Sequence, residues 1–160
     1  FSRVCESLYY SSPERLCKVW PHRFKTVEDA GPYARNPRAL AENVYLDANR
    51  GAKYKLGNET PQDASAFIGR GFLQLTGKNN YRQFAADMRL PEIMTDPSLV
   101  ETDYAFETAY WFFEKNRLFK IADEGVDTNT IEKITKRVNG GYHGLQDRLD
   151  QTNKIYGWLT

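Results

Sequence analysis

The chain has 160 residues, of which 41% are hydrophobic, 27% charged and 14% aromatic. This composition excludes a disordered, collagen-like or low-complexity protein, and the length suits one domain around one core. The 22 basic residues are balanced by 21 acidic ones, so the net charge of +1 gives no reason to expect a nucleic acid or an anionic membrane as a partner.

The first third of the chain contains two helix-start signals. Ser12-Pro13 is a capping residue followed by proline at the first helical position, and Pro21 ends or kinks the helix that follows. Asn36-Pro37 repeats the signal for a helix through about Ala48. Its apolar stripe consists of Leu40, Val44 and Tyr45. Residues 49–69 lack a sustained period and predict a long loop, a feature that is more often functional than idle.

A short apolar run between Gly71 and Gly77 is predicted to be a buried extended segment. In an extended segment Gln74 and Thr76 point to one face, so an amide and a hydroxyl emerge side by side. Such groups make directional hydrogen bonds to sugars. The alternative interpretation is that Gln74 and Thr76 only satisfy nearby backbone groups.

The second half of the chain is predicted to be helical. The expected helices are one capped by Asn79 or Asn80 and stopped by Pro91, a long core helix over residues 98–116, one capped by Thr128 or Asn129 and closed by Gly140-Gly141, and a last one from about Leu145. On the long helix, Leu99, Phe106, Tyr110 and Phe113 are expected to face the core. Strand signals are few, and neither a repeat nor a linker is visible. We therefore predict a single mainly α domain over residues 1–160 with at most a small β-hairpin.

Three blocks of the sequence resemble those of a known family. Gly69-Arg70-Gly71-Phe72-Leu73-Gln74-Leu75-Thr76-Gly77, followed by Asn80-Tyr81, resembles the signature of glycoside hydrolase family 19. Val138-Asn139-Gly140-Gly141, with Asp147-Arg148, resembles that family's second conserved block. Residues 1–11 are similar to the endolysin branch just after its His-Glu-Ser-Gly-Gly motif. The resemblance implies a lysozyme-like α-helical lobe that hydrolyses a β-1,4-linked, N-acetylated glycan.

The resemblance also assigns roles to individual residues. Glu6 falls on the carboxylate that activates water in the endolysins. The substrate-binding positions of the family correspond to Gln74, Thr76, Asn80, Tyr81, Asn139 and Arg148. Lys78-Asn79 departs from the aromatic-rich version in plant chitinases. Without the resemblance, Glu6 would be read as a solvated helix residue.

Inverting hydrolysis needs a second carboxyl group, which protonates the leaving oxygen about 6.5–9.5 Å from the first. In the family this acid is the Glu of the His-Glu-Ser-Gly-Gly motif, which would lie before Phe1. Because the numbering starts at Phe1 rather than at Met, we expect a longer translation product whose upstream segment supplies that motif. Glu14 is the nearest alternative acid in sequence.

Other kinds of site have little support in the sequence. His22 and His143 have no cysteine or carboxylate at a ligand spacing, so we expect no metal ion and no cofactor. Cys5 and Cys17 could form one bridge, which the sequence does not decide. No apolar run approaches the length of about 20 residues that spans a bilayer, so we expect no membrane span.

The sequence therefore predicts a monomeric endolysin that cleaves the β-1,4 glycan backbone of peptidoglycan, made in the host cytoplasm and acting at the cell wall or periplasm. The alternatives are a bacterial chitinase and a glycan-binding module without catalysis.

One observation concerns whether the polymer is peptidoglycan or chitin. Positive charge is concentrated around the predicted long loop, at Arg35, Arg38, Arg50, Lys53 and Lys55. This charge is either a solvated surface or an attraction for an anionic polymer, and peptidoglycan is anionic whereas chitin is not.

Overall fold

The computed structural model describes residues 4–160, and its chain is divided into two compact units, one ending at Thr108 and the other formed by Ala109–Thr160. The first unit holds α1 (Pro13–Val19), α2 (Val27–Ala30), α3 (Pro37–Tyr45), α4 (Pro61–Ala66), α5 (Lys78–Met88) and α6 (Leu99–Thr102). Helix α7 (Ala105–Lys115) includes the division, and the second unit continues with α8 (Leu118–Ala122), α9 (Thr128–Asn139) and α10 (Leu145–Leu159). The predicted mainly α, lysozyme-like fold class is confirmed. That the two units form one catalytic domain stays a prediction.

The first four helices, α1 to α4, begin at polar caps. Ser12 and Asn36 accept backbone N–H groups at the starts of α1 and α3, each followed by proline, as the sequence predicts. Two of these four helices, and α8 in the second unit, were not predicted. α2 is capped by Thr26, and α4 lies inside the predicted long loop, where Thr60 and Asp63 form a reciprocal capping box. Both helices are too short to show an apolar period.

The core of the first unit is built from α1, α3 and the segments beside them. Its buried apolar side chains are Leu8, Leu16, Phe24, Ala30, Leu40, Ala41 and Val44. On α3, residues Leu40 and Val44 are fully buried, so one face of that helix is fixed against the core. The remaining face of α3 is thereby set in position for the site described below.

The predicted extended segment between Gly71 and Gly77 is wrong in detail. Arg70 forms isolated antiparallel bridges with Cys5 and with Leu75, and the residues between Arg70 and Leu75 form a turn. Gln74 lies in the left-handed region at φ 54°. The turn is closed by two backbone hydrogen bonds between Arg70 and Leu75, of 3.1 and 2.7 Å. Alternating apolar residues suggested a strand, but only a hairpin-like pairing forms.

The predicted core helix over residues 98–116 is interrupted. It is two helices, α6 and α7, separated at Asp103-Tyr104. Thr102 and Asp103, at the end of α6, are weak helix formers, which favours a break there. The predicted inward face is also wrong in part, because Phe106 is 65% exposed and Tyr110 is 47% exposed.

Cap assignments differ from the sequence prediction at two further helices. α5 follows Gly77, with no side-chain cap, rather than starting at Asn79 or Asn80. α9 is capped by Asp127 rather than by Thr128 or Asn129, and it ends as predicted at Gly140 in the left-handed region. No residue of helix α10 is fully buried, and of its predicted apolar stripe Ile155 and Trp158 are exposed whereas Leu149 is partly buried.

Within residues 4–160, no helix combines the length and the apolar character that crossing a bilayer requires.

Candidate active site

Glu6 is held by residues from two distant parts of the first unit. Its N–H donates to the Gly69 carbonyl at 2.9 Å, and its Oε1 accepts the Gly69 N–H. Its Oε2 accepts the Tyr45 hydroxyl at 2.9 Å, from the last residue of α3. The side chain is half-buried, so the carboxylate is fixed in orientation and still borders solvent.

Two other predicted site residues converge on the same glycine. A Cβ placed on Gly69 would lie 3.0 Å from Gln74 Oε1 and 3.1 Å from both Glu6 Oε1 and Thr76 Oγ1. Three oxygen acceptors from Glu6, Gln74 and Thr76 therefore surround one small space. The sequence predicted that Gln74 and Thr76 are neighbours, and a hairpin-like turn rather than a strand brings them together. Their approach to Glu6 was not predicted.

The donor groups of Gln74 and Thr76 are used locally. Gln74 Nε2 donates to the Gly71 carbonyl at 3.1 Å, and the Thr76 hydroxyl donates to the Gln74 carbonyl at 2.7 Å. These hydrogen bonds agree with the alternative interpretation, in which both side chains satisfy nearby backbone groups. Sugar binding by Gln74 and Thr76 stays a prediction.

Tyr45 is a hydrogen-bond donor to Glu6 that the sequence analysis placed in an apolar stripe. Burial raises the pKa of the Tyr45 hydroxyl far above its usual value, and the negative charge of Glu6 raises it further. The hydroxyl therefore stays protonated and donates a hydrogen bond to the carboxylate. One feature of the sequence could have indicated this role, because a tyrosine on a buried helix face needs a hydrogen-bond partner for its hydroxyl.

A second layer of side chains fixes the backbone around Gly69. The fully buried Tyr81 donates to the Ile68 carbonyl at 2.7 Å and accepts from Arg70 Nη1 at 3.2 Å. Burial raises the pKa of Tyr81 to about 12, although Arg70 opposes this. Arg70 also donates to the Ala66 carbonyl at 2.6 Å, and its Nε lies 3.7 Å from the Glu101 carboxylate. The expected substrate contact of Tyr81 is corrected to a supporting role, because its ring is not exposed.

The remaining predicted residues lie at the surface or in the second unit. Asn80 is exposed, and its Nδ2 donates to the Thr76 carbonyl at 2.8 Å. In the second unit, Asn139 Nδ2 donates to the His143 carbonyl at 2.6 Å, which closes the turn after α9. Arg148 lies in the first turn of α10, and its buried Nη1 has no hydrogen-bond partner within residues 4–160. Substrate binding by Asn80, Asn139 and Arg148 stays a prediction.

Neither cysteine is bridged, and Glu14 does not have the features of an acid. Cys5 and Cys17 are free thiols. Burial raises the pKa of Cys5 to about 11, and a hydrogen bond with Glu101 adds to this. A hydrogen bond with Ser12 lowers the pKa of Glu14, whereas a general acid needs a raised one. Residues 1–3, which begin the endolysin-like opening, lie outside the described residues.

The chain is similar to several known proteins, although no family model matches it. A glycosyl hydrolase family 19 domain-containing protein of Haemophilus influenzae is 31% identical over 148 residues, which are 92% of this chain and 67% of that protein. Acidic endochitinase WIN6 of Populus trichocarpa is 34% identical over 90 residues, and an acidic 27 kDa endochitinase of Solanum lycopersicum is 40% identical over 62 residues. These two matches cover 53% and 38% of this chain but only 24% and 25% of the plant proteins.

Proposed function

The chain belongs to glycoside hydrolase family 19, and on that premise we propose that it hydrolyses the β-1,4 glycan backbone of bacterial peptidoglycan as an endolysin does. In this proposal Glu6 is the general base, and Gln74 and Thr76 hold the attacking water beside it. The enzyme acts as a monomer, needs no cofactor, is made in the host cytoplasm and works at the cell wall or periplasm.

One observation carries the assignment of Glu6. Its Oε1, Gln74 Oε1 and Thr76 Oγ1 all lie 3.0 to 3.1 Å from the position that a Cβ on Gly69 would occupy. A water molecule can donate two hydrogen bonds. It therefore fits beside these three acceptor oxygens better than a group that only accepts hydrogen bonds. Glu6 is the charged member of the cluster and can receive the proton.

The proposed reaction is a single displacement with inversion. Glu6 takes a proton from the water, and the water oxygen attacks the anomeric carbon as the bond to the leaving sugar breaks. Tyr45 and the Gly69 N–H keep the carboxylate oriented through these steps. The leaving oxygen receives its proton from a second carboxyl group.

The second carboxyl group is, in this proposal, the Glu of the His-Glu-Ser-Gly-Gly motif expected before Phe1. A chain starting at Phe1 is then expected to hydrolyse murein poorly. Adding the upstream segment, covalently or as a separate peptide, is expected to restore the rate. Full murein hydrolysis by a chain starting at Phe1 would contradict this source of the acid.

A chitinase is the second candidate, because two of the relatives are named endochitinases. A third candidate is a glycan-binding module that does not catalyse hydrolysis. The test is to incubate the purified protein with murein sacculi and with colloidal chitin and to measure the reducing ends released. Faster release from murein supports the proposal, and release from chitin alone would replace it with the chitinase. If the enzyme that carries its upstream segment binds a glycan but releases no reducing ends, the glycan-binding module would be favoured.

A further inference from the structure

A cavity of about 480 Å³ lies within the first unit, and its wall includes Ser7, the residue that follows Glu6 in the chain. We call it the Arg38 pocket, and its lining residues are Ser7, Leu8, Pro37, Arg38, Ala41, Ser65 and Ile68. Its volume falls within the range of small-molecule binding sites. None of the site residues derived from the sequence lines this cavity.

The backbone connects this pocket directly to the candidate active site. Glu6 pairs with Gly69, and the next residue on one side, Ser7, and the preceding residue on the other, Ile68, both line the pocket. Consecutive Cα atoms are about 3.8 Å apart, so the Cα atoms of Ser7 and Ile68, in the pocket wall, lie about that far from the Cα atoms of Glu6 and Gly69. A glycan spans several sugars, so one bound at Glu6 can reach the pocket with a neighbouring sugar or a substituent of that sugar.

Helix α3 also relates the position of the pocket to that of Glu6. Arg38, Ala41 and Tyr45 follow one another at helical spacing along one face, and Tyr45 is the residue that donates to Glu6. Seven residues of helix separate Arg38 from Tyr45 by about 10 Å along the axis. That separation is comparable with the length of a disaccharide.

The lining combines an apolar base with one cation. Leu8 and Ala41 are 6% and 2% exposed, so they form the buried base, whereas the Arg38 side chain is 71% exposed. Arg38 Nε donates to Glu42 at 2.9 Å. No acceptor within residues 4–160 engages its two Nη groups, so part of the planar guanidinium remains available for a second carboxylate.

We propose that the Arg38 pocket binds a carboxylate-bearing substituent of the glycan, which is the lactyl ether of muramic acid or the peptide attached to it. The inference rests on the proposed function, because it concerns the substrate of the same site. An apolar base with a cation at its edge suits a group that has both a methyl and a carboxylate. Chitin has no carboxylate, so the pocket would distinguish peptidoglycan from chitin.

The test measures binding, so that it does not depend on hydrolysis. The protein carrying Glu6→Gln is titrated calorimetrically with three probes. These are a peptide-free tetrasaccharide of two N-acetylglucosamine–N-acetylmuramic acid repeats, the same tetrasaccharide bearing its tetrapeptides, and chitotetraose. We expect at least one muramyl probe to bind more tightly than chitotetraose, with an affinity that falls as salt is added. The probe that binds more tightly identifies the lactyl group or the peptide as the source of the carboxylate.

Two further substitutions assign that preference to Arg38. Adding Arg38→Gln is expected to weaken the preferred muramyl probe by about 10-fold, while chitotetraose changes little. Adding Glu42→Gln instead breaks the same ion pair and keeps the cation, so the preference should remain. Circular dichroism confirms that each variant is folded.

The outcomes separate this inference from the proposed function. Equal binding of chitotetraose and the muramyl probes, or an unchanged preference in the Arg38→Gln variant, would overturn the inference. A second outcome is that muramyl probes bind preferentially through Arg38, but the protein with Glu6 intact does not hydrolyse murein. That outcome would overturn the proposed function and leave the inference standing.

Discussion

Glu6 and Gly69 are joined by two hydrogen bonds of opposite direction. The Glu6 N–H donates to the Gly69 carbonyl, and the Gly69 N–H donates to the Glu6 carboxylate. The same glycine lacks a side chain where Gln74 Oε1 and Thr76 Oγ1 approach that carboxylate. Gly69 therefore both orients the proposed base and leaves room beside it.

Replacing Gly69 with alanine tests whether that room is used. The new Cβ would lie 3.0 to 3.1 Å from three side-chain oxygens, which must shift by a few tenths of an ångström. We expect hydrolysis to fall by about 10- to 100-fold, because a small misplacement of reacting groups is costly. Gly31→Ala is the control, since its Cβ would meet nothing within 4 Å. Full activity of the folded Gly69→Ala enzyme would show that the space is not used.

Replacing Tyr45 with phenylalanine removes one of the two donors to the Glu6 side chain. We expect kcat to fall by about 10-fold, with KM nearly unchanged, because Tyr45 acts through Glu6 rather than on the substrate. Steady-state kinetics measure this. Tyr33→Phe is the matched control, since it removes a hydroxyl that is bonded to Asn43 in the same unit. A similar fall in kcat for both variants would indicate a general effect on the fold.

The sequence best predicts those features that depend on neighbouring residues, such as the ends of helices. Capping residues followed by proline marked α1 and α3, and Gly140 marked the end of α9. Helix α4 was missed although its capping box at Thr60 was readable, because so short a helix shows no apolar period.

The site depended on contacts between distant residues. The convergence of Gln74 and Thr76 on Glu6 requires the pairing of Glu6 with Gly69, 63 residues along the chain. Tyr45 lies 39 residues from its partner Glu6, and no local pattern indicates that partner. The motif positions were therefore predictable, whereas the atoms that they bring together were not.

Asp63 is expected to stabilise the first unit through the start of α4. Its side chain completes the capping box with Thr60 and lies 2.7 Å from Lys78 Nζ. Burial of Asp63 opposes ionisation, but the bonds from Lys78 and Thr60 outweigh it and leave the pKa of Asp63 lowered. Asp63→Asn should lower the free energy of unfolding at pH 7 by about 1 kcal/mol, measured by urea denaturation.

The same shift predicts how this loss depends on pH. A carboxyl group with a lowered folded pKa stabilises above its unfolded pKa, near 3.8, and that contribution is lost as the pH falls through the folded value. The difference between the wild-type protein and Asp63→Asn should therefore shrink below about pH 4. A difference that stays constant down to pH 2 would contradict the ionic contribution.

Cys5 gives a prediction at high pH. Burial and Glu101 raise the pKa of its thiol from 9.0 to about 11, so the folded state favours the protonated form. The unfolded chain loses that proton first, and the stability contribution of Cys5 is therefore lost as the pH rises from about 9 to about 11. Urea denaturation should show a steeper decline for the wild-type protein than for Cys5→Ser across this range. Equal slopes would indicate that the thiol is not perturbed.

The measurement that tests the central claim most directly is the hydrolysis rate of the complete enzyme carrying Glu6→Gln. Glutamine keeps the shape of the side chain and removes the proton acceptor, so we expect the rate on murein to fall by about 10²–10⁴-fold with an unchanged circular dichroism spectrum. Glu14→Gln, at an exposed carboxylate near the start of α1, should retain the wild-type rate. Wild-type turnover by the folded Glu6→Gln enzyme would contradict the assignment of Glu6 as the base.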